Sequence, residues 1–372
     1  MNAIEQRIQT LSSYYPPAYA PDDLHDFWSR MAAKHLNGAP SGERTSHSIP
    51  GMPQIEAWKV VYRGFDDTPL HGWFVLPPSR GDKPVPCLVL YHGYHGSKSD
   101  PEDFAAWLLS GYAVFAVDVR GQGGETGNGL ASSHGMISGW ISQNVLDKEN
   151  SYYLATAVDS IRAVDWAATQ PEIDPSRVAV VGASQGGGLA LLVSALSSRV
   201  SVCVAQIPNL SHMDYGILHS TGSLTELARF CNLNPDRLPD VLETLSYFDI
   251  LSHADRIRLP VLMSVGLNAC RRRSTPPSTT WPPPTRDSTS IRSPAMRSTG
   301  TAVPRPANFC STACSPPRRR LSDPTQRRRL QGPPPSIRFR PQVASGLFPA
   351  THVSDGRLPK NRRPSPYPTP RK

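Results

Sequence analysis

The chain has 372 residues with 39 basic and 30 acidic side chains, a formal net charge of +9. That length allows one large domain or two ordinary ones with a sizeable core. The charge is divided unevenly. Residues 1–267 hold 18 basic and 27 acidic side chains, a net charge of −9, and residues 268–372 hold 21 and 3, a net charge of +18. The positive total is therefore no argument for nucleic-acid binding by the acidic part of the chain.

The sequence indicates neither a secretory signal nor a membrane span. Its first residues, MNAIEQR, lack an apolar stretch, and no run of about 18 apolar residues occurs anywhere. Cys87 and Cys203 lie in apolar runs and are predicted to be small core residues. Cys310 and Cys314 have no second pair of ligands nearby, which argues against a zinc site. We therefore expect a reduced, cytoplasmic protein without a membrane partner or a metal.

The predicted elements begin with a polar, partly helical segment over residues 1–50. Within it, Asp22 and Asp23 precede Trp28, a pattern typical of a capped helix start. Residues 55–77 then contain two runs that alternate between apolar and polar side chains. Such alternation predicts two antiparallel strands at the edge of a sheet.

From residue 85 onward, short apolar runs alternate with stretches of helical periodicity. The apolar runs are residues 87–91, 113–118, 178–181, 200–204 and 261–265. The helical stretches are residues 104–109, residues 152–170 and a segment that ends at residue 196. Strands that are apolar on both faces and alternate with helices indicate a mostly parallel sheet with helices on both faces, an α/β fold.

The alternation stops at Leu267, and the remaining sequence is rich in arginine and proline. It contains Arg triplets at 271–273, 318–320 and 327–329 and Pro triplets at 282–284 and 333–335. Apolar residues are too sparse there to offset the entropy of ordering, which predicts disorder. The expected organisation is one α/β domain over residues 1–267 and a basic, Pro-rich disordered tail over residues 268–372.

One motif carries chemistry: Gly182-Ala183-Ser184-Gln185-Gly186 matches G-x-S-x-G between a predicted strand and a predicted helix. The two glycines allow the strand to turn sharply into the helix, which exposes the serine above the sheet. The amino end of the helix offers backbone N–H groups to an oxyanion. The pattern predicts that Ser184 is a nucleophile, and the alternative is a glycine-rich tight turn with a capping serine.

An oxyanion hole needs two donors directed at one point. The backbone N–H of Gln185, the residue after the proposed nucleophile, is the first. The second is expected from the loop after an early strand, where residues 91–96 read Tyr-His-Gly-Tyr-His-Gly. A metal site at His92 and His95 is the less favoured interpretation, because no carboxylate or cysteine stands at ligand spacing.

Several motifs together resemble a known family. They are Tyr-His-Gly-Tyr at 91–94, Arg-Gly-Gln at 120–122, the segment 135–140, Leu-Asp-Lys at 146–148, Gly-Ala-Ser-Gln-Gly-Gly-Gly at 182–188, Thr-Leu-Ser-Tyr-Phe-Asp at 244–249 and Pro-Val-Leu-Met-Ser-Val-Gly-Leu at 260–267. Over about residues 15–267 the chain is similar to the acetyl xylan esterase and cephalosporin C deacetylase family, a group of α/β-hydrolases.

This resemblance implies a serine esterase that removes acetyl groups from small acetylated sugars, xylo-oligosaccharides and cephalosporin-type esters. Members of the family are usually intracellular and often hexameric, and they need no metal or organic cofactor. By residue, the family places the nucleophile on Ser184 and the oxyanion donors on the backbone of Tyr91 and Gln185.

The sequence departs from the family pattern after Leu267. The α/β-hydrolase order is Ser, then Asp or Glu, then His, and the family's acid is expected where Ala269 stands. The expected His some thirty residues later is absent, and the only His after His253 is His352 in the tail. Without the imidazole, only roughly 10³–10⁴-fold catalysis over water is expected to remain.

A frameshift near codon 268 explains the change of composition and the missing residues together. A GC-rich gene that is translated out of frame gives an amino-acid sequence rich in Arg and Pro and without Glu. The chain would then also lack the last strand and helix of the sheet, which predicts an exposed sheet edge and marginal stability. A replacement pair formed by His352 and Asp355 is the less favoured alternative.

Two other functions stay open. A non-catalytic protein would use the α/β-hydrolase fold as a scaffold and the basic tail to bind nucleic acid or other acidic partners. A prolyl-peptidase-like hydrolase would share the serine motif, but no propeller-sized segment precedes the catalytic part. The favoured partner is a small acetyl ester rather than nucleic acid. Arg120 and Gln122, at the end of a strand, are expected to be structural hydrogen bonders.

Overall fold

The computed structural model describes residues 2–17, 19–135, 139–219 and 222–265. The predicted boundary at residue 267, the predicted tail over residues 268–372 and the expected positions of the catalytic acid and His lie outside the described residues. Within the described residues, no helix is long and apolar enough to cross a membrane.

Strands and helices alternate along most of the described chain. The strands are β1 Gly42–His47, β2 Glu56–Arg63, β3 Pro69–Leu76, β4 Val85–Tyr91, β5 Ala113–Val117, β6 Ile173–Ala183, β7 Val200–Gln206 and β8 Val261–Ser264. The helices are α1 Ala3–Ser12, α2 Leu24–His35, α3 Ala105–Leu109, α4 Tyr152–Ala168, α5 Gln185–Leu196, α6 Met213–His219, α7 Leu224–Leu233 and α8 Leu238–Ser246. Short 3₁₀ turns include Pro101–Phe104, Trp140–Ser142 and Ile250–Arg256.

These strands form one mixed sheet in the order β1-β2-β3-β5-β4-β6-β7-β8. β1, β2 and β3 pair antiparallel, and β3 also runs antiparallel to β5. The strands from β5 through β4, β6 and β7 to β8 are parallel. Their carboxyl ends meet at one edge of the sheet, which is the edge where open α/β sheets bind ligands.

Alternate residues of the central strands belong to two separate parts of the core. Phe115 of β5 belongs to a cluster with buried residues of α2, α4 and α5, whereas its neighbour Val114 belongs to a cluster with Leu108 of α3. Helices therefore cover both faces of the sheet. Burial on both faces explains why these strands are apolar without alternation, as the sequence predicted.

The amino-terminal helix α2 is held by the far end of the described chain. Trp28 Nε1 donates to the Tyr247 carbonyl at 3.1 Å, and the Tyr247 hydroxyl donates to Asp23. Tyr19 donates its hydroxyl to Asp249, a buried carboxylate that also accepts three backbone N–H groups. These contacts join residues that are 219 to 230 positions apart in sequence, so the amino-terminal segment is part of the main fold.

The structure confirms the buried strands and long helices that the sequence predicts and adds elements that it does not. β1 falls in the segment predicted to be polar and partly helical. The sequence does not indicate this strand, because it is polar, mostly exposed and placed at the edge of the described sheet. Asp23 precedes α2 as expected, but its side chain makes no capping hydrogen bond and accepts the Tyr247 hydroxyl instead. The helices α6 to α8 were not predicted either.

Candidate functional site

Ser184 lies between β6 and α5, at the carboxyl edge of the parallel strands. We call residues 182–186 the elbow. The backbone of Ser184 has φ 55° and ψ −117°, a conformation that residues other than glycine rarely adopt. The end of β7 and the segment after it help to hold this conformation, because Ser184 N–H donates to the Gln206 carbonyl and Asn209 N–H donates to the Ser184 carbonyl, both at 2.9 Å. This is the sharp strand-to-helix turn that the motif predicts.

Close backbone contacts explain the two glycines of the elbow. A Cβ atom on Gly186 would lie 2.0 Å from the Tyr91 carbonyl oxygen, and one on Gly182 would lie 2.2 Å from the Gly186 carbonyl oxygen. Neither oxygen moves without a shift of β4 or α5. The elbow therefore packs directly against the end of β4.

The end of β4 and the loop after it lie beside Ser184. Tyr91 is the last residue of β4, pairs with β5 and β6 on its two sides, and donates its hydroxyl to the Ser160 carbonyl at 2.8 Å. A Cβ atom on Gly93 would lie 3.8 Å from the Cβ of Ser184. The backbone of residues 91–94 is therefore adjacent to the candidate nucleophile.

Gln185 is the first residue of α5, so its backbone N–H has no acceptor within the helix. Its buried side chain is fixed by Gln122, whose Nε2 donates to Gln185 Oε1 at 2.9 Å. Gln122 also accepts the His95 N–H and donates to the Tyr152 hydroxyl, each at 2.9 Å. This amide network ties the first turn of α5 to the loops that follow β4 and β5.

His92 lies in the loop after β4 with both ring nitrogens engaged. Nε2 accepts the Val119 N–H at 2.8 Å, which places the ring proton on Nδ1, 2.8 Å from the Gly93 carbonyl oxygen. Burial lowers the pKa of His92 below its usual value. These contacts make His92 a neutral structural residue. Among the described residues, no group of three or more His, Cys, Asp or Glu side chains is arranged to hold a metal ion.

Two buried cations, Arg120 and Lys98, form ion pairs that hold the loops after β4 and β5. Arg120 is fully buried and donates to Asp159 at 2.6 and 2.9 Å and to Asp66 at 3.1 and 3.2 Å. Lys98, in the loop after β4, donates to Asp118 at the end of β5 at 2.8 Å. These contacts give Arg120 the structural hydrogen-bonding role that the sequence predicts for it.

Three side chains near the elbow have no role in the sequence prediction of the site. The Tyr94 hydroxyl accepts the Trp140 N–H at 3.1 Å and donates to Glu226 Oε2 at 2.6 Å. The rings of Tyr94 and Trp140 pack edge to face with centroids 5.6 Å apart. Tyr94 and Trp140 belong to motifs quoted for the family resemblance. The sequence offers no signal for Glu226, because an acidic residue in the first turn of a helix is common.

The elbow places Ser184 at the amino end of α5 and beside the backbone of residues 91–94. Backbone N–H donors stabilise the oxyanion that forms when a serine oxygen attacks a carbonyl carbon. The positions of Ser184, Gln185 and Tyr91 are therefore compatible with acyl transfer.

Comparison with known proteins gives a consistent set of similarities. The family model described as acetyl xylan esterase (AXE1) matches residues 1–282. The solved acetyl xylan esterase from Paenibacillus sp. R4 is 33% identical with a TM-score of 0.70, over 73% of this chain and 88% of that one. Acetyl xylan esterase 1 from Thermoanaerobacterium sp. JW/SL YS485 is 27% identical with a TM-score of 0.67, over 73% of this chain and 87% of that one. These two structures confirm the predicted α/β-hydrolase fold.

Similarity to curated proteins is more partial. The acetyl esterase Axe7A of Xylanibacter ruminicola is 27% identical over 205 residues, which are 54% of this chain and 45% of that protein. The putative hydrolase YtaP of Bacillus subtilis is 25% identical over 184 residues, which are 46% of this chain and 57% of that protein. The chain thus spans about half the length of the curated relatives it matches.

Proposed function

Because the chain belongs to the acetyl xylan esterase family, we propose that it is a serine esterase that removes acetyl groups from acetylated xylo-oligosaccharides. Cephalosporin-type acetyl esters are the second proposed substrate class. The observation that carries the proposal is the elbow, where Ser184 has the strained backbone of a nucleophile between a strand and a helix. No metal or organic cofactor is required for this chemistry.

In the proposed reaction, the Ser184 hydroxyl oxygen attacks the acetyl carbonyl carbon and the sugar hydroxyl leaves. Water then releases acetate from the acetyl-serine intermediate. The backbone N–H of Gln185 is the first proposed oxyanion donor, since the start of α5 leaves it without an acceptor inside the helix.

The second oxyanion donor is proposed to lie within residues 91–94. The family resemblance assigns it to Tyr91. Tyr94 is the alternative, because Tyr91 has a paired strand on each side, where backbone N–H groups commonly serve the sheet. A structure with an acetyl-mimicking phosphonate on Ser184 decides between them by which N–H lies about 3 Å from the phosphonyl oxygen.

The proton of the Ser184 hydroxyl needs a base, which the family supplies as a His oriented by an acid. This sequence has Ala269 where the acid is expected and no His between His253 and His352. We therefore propose that the chain as written has strongly reduced activity, roughly 10³–10⁴-fold over water.

Slow chemistry at Ser184 is measured best by trapping the intermediate. The full chain is incubated with 4-nitrophenyl acetate, and intact mass spectrometry follows the acetyl group while absorbance follows 4-nitrophenol. We expect acetylation that Ser184→Ala abolishes and that the exposed control Ser79→Ala leaves unchanged. Equal acetylation of Ser184→Ala and wild type would contradict the proposed nucleophile.

We also propose that residues 268–372 result from a shifted reading frame. The abrupt change of composition and charge after Leu267 supports this. Sequencing the coding DNA for residues 262–306 and reading all three frames tests it. We expect another frame to supply an acid just after Leu267 and a His some thirty codons later, and the restored chain to hydrolyse acetyl esters. If no frame supplies them, the chain is a true departure from its family.

A non-catalytic protein with a tail that binds polyanions is the second candidate. One observation favours it, namely the 21 basic and 3 acidic side chains of residues 268–372. Salt-dependent retention on DNA that is lost on deletion of the tail would support this function. A lack of retention would support the esterase without a nucleic-acid partner. We also propose that the protein is cytoplasmic, which cell fractionation would test, and that it forms a homo-oligomer, which sedimentation would test.

A further inference from the structure

A carboxylate and three aromatic rings form a second cluster near the elbow. The ring centroids of Tyr94 and His95 are 4.3 Å apart, and those of His95 and Trp140 are 5.2 Å apart. Glu226 joins this cluster through the Tyr94 hydroxyl. We call these four residues the ring cluster. The proposed acyl transfer uses none of their side chains.

One connection between the ring cluster and the elbow runs through the loop after β4. Gly93 lies against Ser184, since an added Cβ would be 3.8 Å from the Ser184 Cβ. Tyr94 is the next residue, and its hydroxyl lies 2.6 Å from Glu226 Oε2. Glu226 is therefore one tyrosine side chain away from the backbone that contacts the elbow.

A second connection runs through the segment after β7. Asn209 donates its N–H to the Ser184 carbonyl at 2.9 Å and its Nδ2 to the Ser223 hydroxyl at 3.0 Å. Ser223 immediately precedes α7, and Glu226 lies in the first turn of that helix. Two separate connections thus join Glu226 to residues that contact Ser184.

The hydrogen bonds around Tyr94 define the chemical state of Glu226. The Tyr94 hydroxyl accepts the Trp140 N–H, so its own proton points to Glu226 Oε2, which acts as an acceptor. Burial raises the pKa of Glu226 above its usual value, and this effect outweighs the hydrogen bond from Tyr94 and the neighbouring His95, which both lower it. A Cβ atom on Gly139 would lie 1.6 Å from Glu226 Oε2, so a glycine at that position makes room for the carboxylate.

The charge of Glu226 is not matched by a neighbouring Lys or Arg among the described residues. Its side chain is half-buried, with one oxygen bound to Tyr94 and both oxygens beside Gly139. A carboxylate forms strong hydrogen bonds with hydroxyl donors, and aromatic rings provide a flat apolar surface. A like charge on a ligand would be repelled there.

We propose that Glu226 is a specificity residue that accepts sugar hydroxyl groups and disfavours acetyl esters that carry a carboxylate. The inference rests on the proposed function, because it concerns the choice of substrate at Ser184. It implies that neutral acetylated xylosides are preferred over cephalosporin-type esters, whose ring carries a carboxylate next to the acetoxymethyl group. Repulsion between like charges in a partly buried site corresponds to roughly a tenfold difference in binding.

Binding of a matched pair of ligands to the full chain tests this inference. Methyl xyloside monoacetate is neutral, and methyl glucuronoside monoacetate adds one carboxylate. Calorimetry at low ionic strength is expected to give a roughly tenfold lower Kd for the neutral ligand. Glu226→Gln keeps an acceptor for the Tyr94 hydroxyl and is expected to remove most of the preference. Glu43→Gln makes the same charge change on the exposed edge strand β1 and is expected to retain it.

A second measurement does not depend on any variant. The preference of the wild-type chain is expected to shrink as the salt concentration rises, because salt screens partly exposed charges. A preference that is the same in wild type and Glu226→Gln, or one that salt does not change, would overturn the inference while leaving the esterase proposal intact. If neither ligand binds and Ser184 is not acetylated, the proposed function fails and the inference fails with it.

Discussion

Ser184 shows how single residues determine the position of a reactive group. Its unfavourable backbone conformation costs about 1–3 kcal/mol, and hydrogen bonds to Gln206 at the end of β7 and to Asn209 after it help to offset that cost. The spacing of Gly182 and Gly186 made this turn predictable, because both contacts are local to the motif or to the adjacent strand. Glu226 was not predictable, since its place beside the site depends on how α7 packs in the folded chain.

Gly186→Ala is expected to disturb the contact between α5 and β4. The new Cβ atom would lie 2.0 Å from the Tyr91 carbonyl oxygen, and overpacking of this kind costs about 1–3 kcal/mol. We expect a lower free energy of unfolding in urea and weaker acetylation of Ser184. Gly127→Ala is the matched control, because its Cβ would have no atom within 4 Å. Equal stability and equal acetylation of the two variants would contradict the inferred contact.

At the scale of the element, Tyr247 links α2 to the turn Ile250–Arg256. The Tyr247 carbonyl accepts Trp28 Nε1 of α2 and lies 2.9 Å from Nε2 of His253. His253 therefore carries its proton on Nε2, while Nδ1 is buried without a partner among the described residues. Burial lowers the pKa of His253 to about 4, because a charged ring there would be desolvated.

His253 is expected to make the fold sensitive to mild acid. An unfolded His binds its proton near pH 6.5, whereas the folded chain resists protonation until about pH 4. The unfolded state thus binds more protons between these values, and the free energy of unfolding falls as the pH is lowered. Between pH 7 and pH 5, the free energy of unfolding of His253→Gln should fall by about 2 kcal/mol less than that of wild type.

Urea unfolding at each pH measures this difference. The glutamine amide still offers a donor to the Tyr247 carbonyl, so the comparison isolates the titrating ring. His25→Gln, an exposed position on α2, is the control and should follow wild type. The explanation would be wrong if His253→Gln and wild type lost stability equally on acidification.

Elements whose residues are mostly buried are easier to predict from the sequence than exposed ones, because burial requires a recognisable pattern of apolar residues. β5 is buried at every position and is predictable as an apolar run, whereas α4 is predictable from its helical periodicity. β1 is polar and gains its structure from pairing with β2, which a local pattern does not record. Buried strands are therefore predictable from apolar runs and the pair β2 and β3 from alternation, whereas the polar edge strand β1 is not.

At the scale of the whole molecule, the parallel strands and the candidate nucleophile were predictable together. The sheet order places the elbow on β6, with β4 on one side and β7 on the other, and both neighbours contribute contacts to it. The motif analysis predicts that the loop after β4 lies beside Ser184, but it does not predict the contacts with β7. The role of Asn209 in joining Ser184 to α7 depends on the long connection after β7, which no short pattern describes.

Residues 268–372 are expected to contribute nothing to chemistry at Ser184. The proposed nucleophile and donors all lie before Leu267, and the tail contains one His, His352. A chain that ends at residue 267 should therefore acetylate Ser184 at the rate of the full chain within about twofold. His352→Ala in the full chain gives the same test without truncation. A tenfold loss in His352→Ala would show that His352 and Asp355 act as a replacement pair.

The contacts of α2 with residues 247–249 also determine when that helix is able to dock during synthesis. Trp28 and Asp23 find their partners 219 and 224 residues later in the chain. At about 5–20 residues per second, the ribosome needs roughly 10 to 45 seconds to make the intervening segment. Throughout that interval the apolar face of α2 has no docking partner from this turn. Docking of α2 against residues 247–249 is therefore among the last long-range contacts of the described chain that are able to form during synthesis.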